Sequence, residues 1–277
     1  MKIAVIPNPT KDSGLKQTRK LCDILHGLGA DIRMESQYAD SGIDAVFCSA
    51  ELYEGAEAVV VLGGDGTILR AAEPCARLGI PVMGINLGRV GFMTETEQGD
   101  MARAAERLLA GDYKIEERMM MDISIVTGGG SMNFLALNDC VVAKPDAQMI
   151  NAGIFADDEE ITEYIADGVI IATPTGSTGY SLSAGGPVAD PGTEVFLATP
   201  ICAHTLLARP AVIAPEKRIE VGIFEGANKC AEVTVDGVVR GRIEVGDSVM
   251  IERSAARLKL IKFGSQSFYD ILTAKLV

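Results

Sequence analysis

The stretch VVVLGGDGTILRAA, Val59 to Ala72, narrows the possible folds more than any other part of this 277-residue chain. An unbroken run of Val and Leu is what a strand buried on both faces needs. The run stops at Gly63-Gly64-Asp65-Gly66-Thr67, and apolar residues at helical spacing follow. Strand, glycine turn and helix make half of a βαβ unit, and the same alternation fills residues 1–113. Ile3–Ile6 reads as a short buried strand, and PNPTKDSG after it as a polar loop. Leu15, Leu21, Cys22, Leu25 and Leu28 share one helical face, and Gly29 closes that helix. Ala30–Glu35 and Ile80–Asn86 read as further strands, and Asp100–Asp112 as a helix ending at Gly111. Pro74 interrupts the helical pattern after Thr67 and is expected to kink or restart it. The alternation predicts a parallel, doubly wound α/β sheet.

The pattern changes after residue 113. Tyr113–Lys144 shows strands parted by glycine-rich turns, and strict alternations such as Glu232-Val233-Thr234-Val235-Asp236 continue the theme. This predicts an antiparallel β-rich region. The last segment, Ser267–Val277, returns to helical spacing with Phe268, Ile271 and Leu272 on one face. The expected layout is an α/β domain over 1–113, a β-rich domain over 114–263, and a tail, 264–277, that packs back on the first domain.

Charge excludes some functions. The chain has 25 basic and 38 acidic residues, a net charge of −13, so sequence-independent nucleic-acid binding is not expected. It lacks Trp and is only 5% aromatic, too little for a base-stacking platform. A small anionic ligand remains compatible, because a local pocket can be positive on an acidic protein. No apolar run reaches the roughly 18 residues that span a bilayer, and Met1–Gly14 does not read as a signal peptide. We therefore expect no membrane association, a cytoplasmic location, and reduced, mostly buried thiols at Cys22, Cys48, Cys75, Cys140, Cys202 and Cys230.

Three clusters carry candidate chemistry. Gly63–Thr67 lies where a parallel strand ends and a helix begins, the edge at which open α/β sheets bind ligands. Its glycines let a phosphate approach the backbone, and free N–H groups at a helix start favour anions. Asp65 repels a phosphate, so it reads as a phosphoryl-transfer carboxylate, a hydroxyl's base or a metal ligand, or as a plain helix cap. A Walker A loop is absent, as is Gly-x-Gly-x-x-Gly after a strand, which disfavours P-loop enzymes and ordinary dehydrogenases. The second cluster, Asn86-Leu87-Gly88-Arg89-Val90-Gly91-Phe92, ends the next strand and should lie beside the first. The third runs from Ala166 to Pro191, with hydroxyls at Thr173, Thr175, Ser177, Thr178, Ser181 and Ser183 among Gly176, Gly179, Gly185 and Gly186. So many small polar groups suit a ligand groove better than a core. It is not a Gly-x-Ser-x-Gly elbow, so a serine hydrolase is not expected.

These clusters, with Asn138-Asp139 between them, resemble the NAD kinase family. Gly63–Thr67 matches its Gly-Gly-Asp-Gly-Thr motif, Asn86–Phe92 its Asn-x-Gly-x-x-Gly-Phe element, and Asn138-Asp139 its Asn-Glu/Asp pair. Thr173–Pro187 is similar to the family's long Thr-Pro-Thr-Gly-Ser-Thr signature, and Pro200–Pro210 and Asp236-Gly237 also resemble it. The resemblance covers nearly the whole chain in order.

It implies transfer of the terminal phosphoryl of ATP, or of polyphosphate in some members, to the 2′-hydroxyl of the adenosine ribose of NAD. A divalent metal such as magnesium would assist. Asp65 would be the catalytic carboxylate and a possible metal ligand; Gly63, Gly64, Gly66, Thr67, Asn86 and Gly88 would serve nucleotide binding. Asn138 and Asp139 would bind the ribose or nearby groups. Thr175, Thr178, Gly179, Tyr180 and Ser183 would bind the substrate, Thr178, Tyr180 and Ser183 lining the adenine pocket with Phe92 near it. Asp167 would contact the nicotinamide end, and Asp236 joins the substrate-binding set. The resemblance further implies a homodimer or homotetramer built on the β domain, which supplies part of a neighbour's site.

Two positions depart from the family pattern. Gly179 stands for a common Ala, and Ile165 for an Arg that meets phosphates. His204 reads equally as a substrate contact or a structural histidine, His26 as solvated, Met119–Met121 as strand packing, and Asp157–Glu160 as an exposed hairpin tip. A diacylglycerol-type lipid kinase shares Gly-Gly-Asp-Gly-Thr but leaves Ala166–Pro191 unexplained. A non-catalytic dinucleotide sensor is the third reading; Asp65, the residue it could lose most easily, is present.

Overall fold

The computed structural model describes residues 1–277 apart from Ala50, Arg89, Val90, Thr205–Leu207, Ser265, Gln266 and Val277, and omits the side chain of Leu276. The chain forms two compact units, one of residues 1–117 and 257–277, the other of residues 118–256.

In the first unit, β1 (Lys2–Pro7), β2 (Asp31–Glu35), β3 (Val46–Cys48), β4 (Ala58–Gly63) and β5 (Val82–Asn86) pair in parallel. Their spatial order is β3-β2-β1-β4-β5. The order therefore reverses between β1 and β4, the place where loops part and leave a crevice. Helix α1 (Lys16–Gly27) and α3 (Met101–Leu109) cover one face, packing Leu21, Leu25, Met101 and Leu108 on Val60, Leu62, Met83 and Ile85. Gly84 alternates with Met83 and Ile85 and meets Ile68 of α2 (Asp65–Leu78), so α2 covers the other face. The sheet is thus doubly wound, and every residue of β4 is buried, as its unbroken apolar run requires. A two-residue strand, β6 (Thr96–Glu97), adds to β5.

Helix α2 runs through Pro74 as one element instead of restarting there. Pro74 lies in its last half, where a single missing N–H is tolerated because Ile68, Ala71, Ala72 and Cys75 bury the face around it. Strand β3 went unread in the sequence, since three residues with exposed or half-buried side chains show no periodicity.

The second unit is a two-sheet β sandwich. It is reached through β7 (Lys114–Thr127), which pairs with β8 (Gly130–Ala136). One sheet aligns β11 (Glu159–Ala166), β10 (Ile150–Ala156) and β15 (Ile219–Phe224); the other has the order β14-β13-β12-β9-β16-β17. Those strands are β9 (Asp139–Ala143), β12 (Gly168–Ala172), β13 (Phe196–Ile201), β14 (Ala211–Ile213), β16 (Cys230–Val235) and β17 (Val238–Glu244). Alternate residues from both sheets, Met119, Met121, Ile154, Val169, Ile171, Val221 and Val233 among them, fill one core. The ladders described among these strands, β9 to β17, are antiparallel. Met119–Met121 pack a strand, as expected. Asp157 and Asp158 turn the β10–β11 hairpin in the left-handed region, with Asp157 held by Lys217 at 2.8 Å.

Strand β18 (Ser248–Lys262) then leads back, its Leu260 beside Val82, and α5 (Phe268–Leu276) closes the chain. The Phe268 ring lies 5.7 Å from that of Phe92, which fixes the tail to the first unit. All six cysteines are free; Cys22, Cys75 and Cys140 are buried, Cys48 and Cys230 half-buried and Cys202 exposed.

Candidate functional site

Asp65 opens α2, directly after Gly63 and Gly64 at the end of β4. It is not the helix cap: Gly64 holds the N-cap position, and Asp65 is the first residue of the helix. Its carboxylate reaches instead to the loop after β5. Oδ2 accepts the Phe92 N–H at 2.8 Å, and Oδ1 accepts from Met93 N (3.1 Å), Thr94 N (3.3 Å) and Thr94 Oγ1 (3.4 Å). Gly91 lets that loop close, because a Cβ there would overlap Oδ1. The first two clusters are therefore one assembly, with Asp65 as its clasp. A carboxylate offers about four lone-pair positions, so Oδ2, with a single donor among the described residues, keeps one for a substrate hydroxyl or a metal.

Asn86 ends β5 and is 3% exposed. Its Oδ1 accepts the Gly88 N–H at 2.8 Å, while its Nδ2 is buried without a partner among the described residues. A buried amide donor left unpaired is costly, and a bound anion relieves that cost. Thr67 is buried and its hydroxyl accepts from Asn8 Nδ2 at 3.0 Å. Gly66 is exposed at the start of α2. Phe92 meets Phe268 and also the Lys275 ammonium, 4.7 Å from its ring centre. Arg89 and Val90 lie outside the described residues, as do Thr205–Leu207 of the Pro200–Pro210 segment.

A second constellation forms at one end of the six-stranded sheet. Asp236 and Gly237 are the two left-handed residues of the β16–β17 turn, with φ of 46° and 78°. The turn aims the Asp236 carboxylate at the start of β9, where it accepts N–H groups from Leu137 (2.8 Å), Asn138 (2.7 Å) and Asp139 (3.1 Å). Thr173 donates its hydroxyl to the Leu137 carbonyl at 2.5 Å. Gly176 presses against the Asn138 carbonyl so closely that a Cβ would overlap it. Asn138 is thereby pinned, and its Oδ1 has no hydrogen-bond partner among the described residues. Asp139 is 6% exposed; burial first, and the nearby Asp236 second, push its carboxyl up to about 7. Burial also raises Asp236, against the pull of its three backbone donors.

The hydroxyls of the long cluster divide in two. Thr173, Ser177 and Ser181 are fully buried and bond within the protein: Ser177 with Ala189, and Ser181 with Thr199 at 2.9 Å. They fold the segment onto the outer face of the sheet, over Val141, Ile170 and Leu197. Thr175 is also buried, its Oγ1 meeting the buried Arg118 at 3.4 Å. Thr178 and Gly179 are half-buried, and Tyr180 and Ser183 exposed, so these four form the accessible rim.

Asp167 stands apart. It precedes β12, whereas Thr173 follows it, so the strand's length, roughly 3.3 Å per residue, separates them. Asp167 pairs with Lys144 at 2.6 Å. Ile165, nearby on β11, is exposed, and its carbonyl accepts the His204 N–H at 2.8 Å. His26 is better fixed than a solvated residue, with Nε2 2.6 Å from the Asp44 carbonyl, because α1 overhangs the loop before β3. Among the described residues no three His, Cys, Asp or Glu side chains group as a metal site, Asp157–Glu160 included.

Two residues escaped the sequence reading: Arg118, whose burial follows from the sandwich, and Lys11, in the loop after β1. A basic residue at the carboxyl end of a strand paired with β4 was the signal for Lys11.

The family model of the ATP-NAD kinase N-terminal domain matches residues 3–113, and that of the ATP-NAD kinase C-terminal domain matches residues 137–263. The NAD kinase of Caldanaerobacter subterraneus subsp. tengcongensis is 38% identical, over 99% of this chain and 98% of its own length. That of Heliobacterium modesticaldum is 45% identical over 79% and 77%. The solved NAD kinase from Archaeoglobus fulgidus in complex with ATP aligns with a TM-score of 0.77 at 29% identity, covering 100% of this chain and 98% of that one. Yeast NADH kinase complexed with NADH shares the fold, with a TM-score of 0.88 at 23% identity, covering 99% and 85%.

Proposed function

This chain belongs to the NAD kinase family, and we propose that its first unit carries the phosphoryl-transfer chemistry and its second the recognition of NAD. The reaction moves the terminal phosphoryl group of ATP to the 2′-hydroxyl of the adenosine ribose, giving NADP. The observation that carries this reading is Asp65: a carboxylate fixed by the 92–94 backbone, at the reversal of the sheet, with one lone pair of Oδ2 open. There it accepts the hydroxyl proton as the oxygen attacks phosphorus. The Gly63–Thr67 backbone and Asn86 Nδ2 receive phosphate oxygens. Both matching family models are those of ATP-NAD kinase, and the second takes in Ala166–Pro191, which a lipid kinase leaves unexplained.

In the second unit Asn138 Oδ1 accepts a ribose hydroxyl, and Asp139 joins it. Tyr180, with Thr178, Gly179 and Ser183, meets the adenine. Magnesium fits this chain as a guest of the nucleotide, since it needs only one or two carboxylates beside substrate phosphates. The one open lone pair of Asp65 Oδ2 would hold either the metal or the attacking hydroxyl, and a metal there would neutralise charge on those phosphates. Asp167, distant from Tyr180 along β12, serves the site of a neighbouring copy in a homodimer or homotetramer. Exposed Met132, Val238 and Val239 on this unit support such an assembly, which light scattering would measure.

The test is NADP formation from purified protein, NAD, magnesium and ATP, with polyphosphate as a parallel donor, read by an NADP-specific dehydrogenase. No NADP with either donor would sink the proposal. Tyr180→Ala is expected to weaken NAD binding about tenfold or more, the scale of one aromatic–base stack. An unchanged Kd by calorimetry would move the adenine away from this rim.

A further inference from the structure

We propose that Lys11 is a phosphate-binding residue for the donor, its ammonium gripping the terminal phosphates of ATP between the loops after β4 and β5; this rests on the kinase reading above. The sheet reverses between β1 and β4, so the loops following those strands flank the crevice where ligands bind. One carries Gly63–Thr67 and the other Lys11. A Cβ built on Gly64 would lie 2.7 Å from Lys11 Nζ, and one on Gly88 3.8 Å from it. The charge therefore hovers over two stretches of bare backbone, the surface that admits a phosphate.

The loop is built to hold it there. Asn8 donates its N–H to the Leu62 carbonyl (2.9 Å) and its Nδ2 to Thr67 Oγ1 (3.0 Å), tying β1's loop to β4's. Its Oδ1 accepts the N–H groups of Thr10 (3.1 Å) and Lys11 (3.3 Å). On the other side Asp12, 3% exposed, takes the N–H groups of Gln17 (3.0 Å) and Thr18 (2.8 Å) and the Thr18 hydroxyl (2.6 Å). Lys11 is thus framed by two anchored residues, while its own side chain is exposed and has no ion pair among the described residues. On Asn86, whose Oδ1 holds the Gly88 N–H, the buried Nδ2 is a second donor without a partner among the described residues. On a chain of net charge −13, a polyanionic donor needs such a local cation.

Lys11→Ala and Lys11→Arg test this, by steady-state kinetics with each substrate varied and by calorimetry of magnesium-ATP binding. Lys11→Ala is expected to raise KM and Kd for ATP about tenfold to a hundredfold, the scale of one charge-assisted hydrogen bond. The KM for NAD and the melting temperature should stay near wild type, and Lys11→Arg should restore most of the ATP affinity. Unchanged ATP binding in Lys11→Ala, or a rise confined to the KM for NAD, overturns the proposal. Calorimetry reads Lys11 without turnover, whereas wild-type NADP formation alone reads the kinase assignment, so either can fail separately.

Discussion

Asp65→Asn lowers kcat for NADP formation at least about a hundredfold, the lower range for losing a positioned general base, and leaves the Kd for NAD near wild type. The asparagine oxygen can still accept the Met93 and Thr94 N–H groups, so the loop after β5 keeps most of its anchorage. Its NH2 group replaces Oδ2, the atom that accepts from Phe92 and has the open lone pair. Two donors then face each other, at about 1–3 kcal/mol, a few degrees in melting temperature for a chain of this size. That cost is local, and the constellation around Asn138 that we propose binds NAD does not depend on it. Calorimetry with NAD therefore separates a chemical loss from a structural one. Turnover comparable to wild type would remove Asp65 from the reaction.

The order of strands and helices was legible because each element repeats one simple pattern: β4 is apolar throughout, and α1 and α2 bury one face. Gly63–Thr67 was legible because glycines after a buried strand have few other uses. The clasp between Asp65 and residues 92–94 was not, since it joins positions 27 to 29 residues apart through backbone N–H groups. Any sequence supplies those groups, so side-chain identity does not report them. The same limit hid the division among the hydroxyls: Thr173, Ser177 and Ser181 look like Thr178 and Ser183 in sequence, and only the sheet beneath them decides which are buried. Lys11 escaped because a lysine in a polar loop is ordinary until β1 is placed beside β4.

Asp236→Ala should destabilise the protein by about 3–5 kcal/mol, the range for stranding several buried donors. Three N–H groups, those of Leu137, Asn138 and Asp139, lose their acceptor together. Alanine also resists the left-handed conformation at φ 46° that the turn requires. Asp236→Asn keeps the turn and one acceptor oxygen, so about half the loss is expected, measured by urea unfolding. A loss within 1 kcal/mol for the alanine variant, roughly the worth of a single ordinary hydrogen bond, would show that water replaces the carboxylate.

The neighbouring Asp139 gives this cluster a pH signature. Its folded-state pKa, about 7, lies above that of an unfolded aspartate, because burial and Asp236 oppose its ionisation. Between pH 4 and 7 the native state thus holds a proton that the unfolded state has released, and stability falls as pH rises through that window. Above pH 7 both states are ionised and the slope ends. Asp139→Asn has no proton to lose, so relative to it the wild type should weaken by on the order of 4 kcal/mol across the window. Identical pH profiles would mean that Asp139 is ionised, and solvated, in the folded protein throughout.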